Sequence, residues 1–245
     1  MKWIGLIGLI LTALSLLSCT PNKETDDLSV AQQCLDQVPD SNPQAANNCM
    51  QYVSQYSDQR ANILKCGIYL TAGGITTTRV GQAYTDSQDS SITANQKQAM
   101  YIGLLALTLP DAATGYTNAV TGNAFCQASG ETGLIFESAM AVIGSKINSL
   151  AGGIDLTASP SAISTAVQTA LNTCQTTPAS CDPTTIAPIV TSVANSYCAS
   201  SNANTSVCTD INQAQTSWGS NPATLTQGLM CLLQGKTFTA PSTCS

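Results

Sequence analysis

The chain has 245 residues, 43% apolar and 9% charged, with eight Lys+Arg against fourteen Asp+Glu and a formal net charge of −6. No Lys/Arg cluster exists to follow a phosphate backbone, so nucleic acid is excluded as a partner. Disorder is excluded too, because it couples low hydrophobicity to high charge, and the length suffices for one substantial core.

The first segment is the most legible. Lys2 supplies a positive charge, Ile4 to Leu17 form an apolar run, and Leu16-Leu17-Ser18-Cys19 closes it. A basic start, an apolar stretch too short to span a bilayer comfortably and a small residue at its end describe an export signal. Ending on Cys directly after Leu-Leu-Ser, the segment resembles the lipobox of bacterial lipoproteins. That resemblance implies removal of residues 1–18 and acylation of Cys19 with palmitate-type chains on its sulfur and new amino group. The membrane is then a partner through the N-terminal acyl chains, and the protein sits in the cell envelope. Thr20 is not Asp, which by the same resemblance implies the outer membrane, whether on its periplasmic or its surface face. An ordinary secretory signal with a chance Cys is the alternative. Removing residues 1–18 takes Lys2 away and leaves seven Lys+Arg against fourteen Asp+Glu, a formal charge of −7.

Residues 19–27 are polar and aperiodic, and read as the lipidated Cys followed by a tether. Residues 28–245 then form a single helical domain. Leu28, Ala31, Leu35 and Val38 mark a first helix. Asn42-Pro43 gives an N-cap and a first-position Pro to a second, carrying Ala46, Cys49, Met50, Val53 and Tyr56. A third runs from Ala61 to Ala72 and stops at Gly73-Gly74. Residues 73–91 are expected to be a surface loop and the contact site, because Arg79, Tyr84, Asp86 and Asp89 concentrate scarce charge and hot-spot chemistry there. Segment 92–109, apolar on all sides from Ala99 to Leu107, should be the central buried helix.

Phe136, Met140, Ile143, Ile147 and Leu150 form the next stripe, closed by Gly152-Gly153. Further stripes follow Ser159-Pro160, Asp182-Pro183 and Asn221-Pro222, with one more from Val207 to Trp218. Pro188 should delay or kink the helix that contains it. No segment alternates with period two. The fold class is all-α: a disulfide-stapled stack of antiparallel helical hairpins around a central apolar helix.

Eleven Cys less Cys19 leave ten, enough for five disulfides in an oxidising compartment. Cys34 and Cys49 are equidistant from the turn at Pro39 to Pro43, so an antiparallel hairpin brings them face to face. Proximity alone suggests Cys66–Cys126, Cys174–Cys181, Cys198–Cys208 and Cys231–Cys244. With no His and no Cys-x-x-Cys, the usual zinc spacings are missing, and neither metal nor cofactor is expected.

The missing imidazole also removes the commonest general base and the Ser-His-Asp arrangement. Carboxylates remain, and Glu131 with Glu137 is the pair to weigh. Glu137 lies about 100° from the Phe136–Met140–Ile143 stripe, which suggests a solvated flank residue. Asp86 and Asp89 could offer oxygens to Ca²⁺ but do not fit the EF-hand pattern. Tyr52 and Tyr56 at i,i+4 could form a contact patch, but Tyr56 continues the core stripe; Trp218 ends another, so core comes first for it and ligand contact second. These residues point first to a non-enzymatic envelope lipoprotein, a helical interaction or structural module with an envelope protein partner. A carboxylate-dependent hydrolase of cell-wall glycan and a carrier of a small apolar ligand are the alternatives.

Overall fold

Capping side chains set most helix starts. Asp58 accepts from the amides of Arg60 and Ala61, Thr93 and Gln96 form a reciprocal capping box, and Asp111 and Asn221 each accept two first-turn amides. The structure, a computed structural model, describes residues 23–200, 205–218, 221–234, 236, 238–239 and 243–244. The expected signal segment and Cys19 lie outside those residues.

In chain order come α1 (Lys23–Asp36), a 3-10 segment (Pro43–Cys49), α2 (Met50–Val53), α3 (Gln59–Ala72) and α4 (Thr77–Gln88). There follow α5 (Ala94–Leu105), α6 (Ala112–Ser129), α7 (Thr132–Leu150) and α8 (Pro160–Thr176). A second 3-10 turn (Pro178–Cys181) leads to α9 (Pro183–Asn195), α10 (Thr205–Trp218) and α11 (Pro222–Leu232). The fold is all-α apart from β1 (Phe238–Thr239) and β2 (Thr243–Cys244), an antiparallel pair in the register Phe238 to Cys244. No described helix is long and apolar enough to cross a membrane.

Several boundaries differ from the sequence reading. Lys23–Asp27, expected in the tether, already belong to α1, whose first turn carries Glu24 and Asp26 at the positive end of the helix. The segment after Asn42 winds as 3-10 before one α turn, and Asn42 makes no side-chain cap. Pro188 sits inside α9 on its exposed face, so the carbonyl that loses its intrahelical donor belongs to exposed Thr184 and can meet water.

The hub is α7 rather than segment 92–109. It packs against α3, α5, α6, α8 and α9, whereas α5 leaves Tyr101 44% exposed. Close approach is bought by small residues: a Cβ on Gly144 would lie 2.7 Å from the Ile102 carbonyl oxygen. Buried Ser145 accepts from the Leu107 amide at 2.7 Å and donates to the Ala141 carbonyl at 2.6 Å, tying the end of α5 to the hub. Helix α6, to which apolar periodicity assigns nothing, lies along both α3 and α7. Its buried face is Gly115, Ala119, Gly122, Asn123, Cys126 and Ser129, small or polar residues that form no apolar stripe.

The similar sequences Ala72-Gly73-Gly74-Ile75 and Ala151-Gly152-Gly153-Ile154 both end helices, in different registers. In the first the left-handed residue is Gly74 (φ 104°), and Ile75 N–H bonds to the Leu70 carbonyl. In the second the turn begins one residue earlier, at Gly152 (φ 73°), and Gly153 N–H bonds to Asn148. Shared helix-stop chemistry accounts for the likeness.

Disulfides join Cys34–Cys49, Cys66–Cys126, Cys174–Cys181, Cys198–Cys208 and Cys231–Cys244. These are the pairs that hairpin symmetry and proximity select. Only Cys66–Cys126 spans a long stretch, 60 residues, and it fastens α3 to α6. The outer faces carry hydroxyls rather than charge. On α8, Thr165, Thr169 and Thr173 each donate to the carbonyl four residues back, and Thr117 and Thr121 do the same on α6.

Candidate functional site

The proposed contact loop is not a loop. Thr76 accepts from the Arg79 amide and starts α4, so residues 77–88 of the 73–91 stretch are helical. Among the described residues α4 packs mainly on α5, and polar Arg79 supplies inward contacts that an apolar stripe would otherwise make.

Arg79 turns inward. Its guanidinium donates to the Gly103 carbonyl at 2.7 Å, the Gly74 carbonyl at 3.1 Å and Thr108 Oγ1 at 3.5 Å. Burial lowers its pKa to about 10, leaving it cationic at neutral pH. The cation thus sits where α3 and α5 end, against their negative poles. Of the other three, Asp86 accepts from Gln82 and Asp89 accepts from Ser91 N–H and Oγ, so these carboxylates serve local turns rather than one site. Tyr84 is 71% exposed.

Glu131 and Glu137 do not converge. Glu131 is the N-cap of α7 and accepts from Gln59, while Glu137 is six residues further along, about 240° around the helix. Glu137 is also not the solvated flank residue expected. It is half-buried, and burial raises its pKa above the ordinary carboxylate value. Tyr52 and Tyr56 pack on the N-terminal cluster, with Tyr56 Oη donating to Asp27 at 2.6 Å. Trp218 ends α10, and its side chain lies outside the described residues.

A second polar cluster is structural. Tyr116 Oη donates to Asp182 at 2.8 Å, and Lys146 Nζ lies 4.9 Å from the Tyr116 ring centroid. Burial pushes the Asp182 carboxyl up, but hydrogen bonds from Tyr116, Thr184 and Thr185 outweigh it and hold the pKa low. Asp182 is a left-handed residue (φ 49°) whose side chain locks the start of α9 onto α6.

Among the described residues, an apolar cavity of about 440 Å³ has room for a ligand. Its floor is α7, which supplies Phe136, Ala139, Met140 and Ile143. One wall is α9 with Ile189, Val190, Val193 and the following Tyr197. The opposite side comes from Leu229, Leu232 and Leu233 on and just beyond α11, and Ile211 of α10 closes part of it. Gln98 and Tyr101 of α5 form the polar edge. The Phe136 and Tyr197 rings stack with centroids 4.4 Å apart. Burial raises the Tyr101 pKa above the ordinary phenol value, and the Glu137 charge adds to that shift. Periodicity marks these side chains as core but cannot tell a filled core from an open one. Only the excess of large residues around one face of the Phe136–Met140 stripe hints at it.

No protein-family model, curated protein or solved structure matches this chain.

Proposed function

We propose that the chain is a non-enzymatic envelope lipoprotein, anchored through acylated Cys19 in the outer membrane, that holds a small apolar molecule between α5, α7, α9 and α11. The cavity carries this reading: about 440 Å³ lies within the 300–1,000 Å³ typical of ligand sites, and its lining is almost wholly apolar. The missing imidazole and the separation of Glu131 from Glu137 weigh against a glycan hydrolase. An apolar fluorescent probe such as N-phenyl-1-naphthylamine should bind saturably, and Met140→Trp, which fills the cavity, should abolish the signal. Binding that survives the filled cavity would end this reading. Mass spectrometry of the N-terminal peptide should find Cys19 acylated and at the mature terminus.

A protein-interaction role is the second reading. It is favoured by Val80 and Tyr84, 48% and 71% exposed at i,i+4 on the outer side of α4. Val80→Ser with Tyr84→Ser should then weaken recovery of an envelope partner without moving the thermal transition.

A further inference from the structure

We propose that the cavity selects uncharged amphiphiles, molecules with an apolar body and one hydroxyl-type head, the head bonding to Gln98 and Tyr101. Selection of this kind presupposes that the cavity is a ligand site, as proposed above, and adds the chemistry of its occupant.

The interior decides the body. Ile143, Val190, Val193 and Leu229 offer no hydrogen bond, so a polar group lodged among them would lose its hydration uncompensated. Charge is missing as well: no Lys, Arg, Asp or Glu is among the described lining residues. An ionised head drawn into this site would give up water for a surface that supplies no counter-charge, the costliest case of burial.

The rim decides the head. Gln98 and Tyr101 both line the cavity and stand at i,i+3 on α5, so they share one face of that helix. Gln98 Nε2 donates to the Leu232 carbonyl at 3.5 Å, reaching across to the end of α11. With Nε2 so engaged, Gln98 Oε1 is left over, and it has no donor among the described residues. The Tyr101 hydroxyl likewise has no hydrogen-bond partner among the described residues. Burial holds its pKa above the ordinary phenol value, so it keeps the proton it can donate. One acceptor and one donor thus stand on the same rim. A hydroxyl answers both at once, its oxygen accepting from Tyr101 and its proton going to Gln98. An ether or a carboxylate can only accept, and a quaternary ammonium can do neither.

Four probes that share a decyl chain separate head from body: decanol, decyl methyl ether, decanoate and decyltrimethylammonium. Each is titrated calorimetrically into the full chain near neutral pH, below the concentration at which it self-associates. Decanol should bind about fivefold more tightly than the ether, which lacks a proton for Gln98, and about tenfold more tightly than either ion. Gln98→Met keeps the bulk of the rim without its acceptor. It should bring decanol to within about twofold of the ether while leaving the ether's own affinity unchanged. Tyr101→Phe should weaken decanol and the ether alike by about threefold, because both accept from that hydroxyl. Should Gln98→Met not fold, the wild-type ranking and Tyr101→Phe still decide. A wild type that binds the ether as tightly as decanol, or either ion more tightly, overturns the selection while leaving the cavity reading standing. So does a preference for decanol that persists in Gln98→Met, or a Tyr101→Phe variant that binds both as before. If none of the four binds, the cavity reading falls with it.

Discussion

The two ends of this molecule use the same materials differently. Around α1 to α3, the side chains of Leu28, Ala31, Ala46, Cys49, Val53, Ala61 and Ile68 are sealed from solvent and interlock with one another. Around α7, α9 and α11 the apolar residues are larger, yet Phe136, Met140, Tyr197, Leu229 and Leu232 stay partly open around unfilled space. Each end is stapled by disulfides, so cross-linking does not make the difference. What differs is side-chain size against helix spacing: small residues let helices close on each other, whereas large ones hold them apart. The molecule thus has a solid end and a hollow end.

The strongest test of the solid end is to remove Cys66–Cys126 by a double Ser replacement. Chain-entropy reasoning gives a loss of roughly 4 kcal/mol for its 60-residue span, against roughly 3 kcal/mol for the 10-residue Cys198–Cys208 at the hollow end. Urea unfolding of both variants reads the ranking, and a reversed order would contradict it. Next, fully buried Ile68→Ala should cost about 3 kcal/mol, while Leu232→Ala beside the cavity should cost less than about 1 kcal/mol. Equal losses would mean that the second region is as well packed as the first.

Arg79 joins the two ends, holding carbonyls at the close of α3 and of α5. Arg79→Ala should cost roughly 2 kcal/mol, because the Gly74 carbonyl loses the Arg79 donor and the Gly103 carbonyl keeps only the Ala106 amide. An unchanged unfolding midpoint would show the clasp to be idle.

The smallest effect has the opposite sign. Burial raises the folded-state pKa of Glu137, so its ionisation favours the unfolded chain. Glu137→Gln should therefore raise the thermal midpoint by about 1–2 °C at neutral pH. That advantage should vanish below the ordinary value of 4.5 and open as pH rises through the raised one. Tyr101 of α5 is the titratable group acting on it from a packed neighbour, and it is neutral throughout this range. A calorimetric pH series in which the variant gains nothing would remove the strain argument.

Much of the fold could be read from the chain because its signals are local. Ser159-Pro160 and Asn221-Pro222 open helices where capping chemistry says they should, and Phe136 to Leu150 keeps one stripe throughout. α6 was hidden because tight packing onto α3 uses Gly122, where a Cβ would lie 2.8 Å from that of Tyr69. Such a face has no hydrophobic period to detect. α4 was hidden for the converse reason, since it buries a cation rather than a stripe. The cavity was illegible because it is a property of distances between helices, and the half-burial of Glu137 follows from the same packing.

The threonines along α8 and α6 have one more consequence. Their hydroxyl protons are committed to carbonyls of their own helices, and their methyl groups are left to meet the solvent. The protein therefore wears a coat that binds water less avidly than its polar composition implies, and one with little charge for ions to screen. Solubility and surface adhesion should accordingly respond weakly to ionic strength.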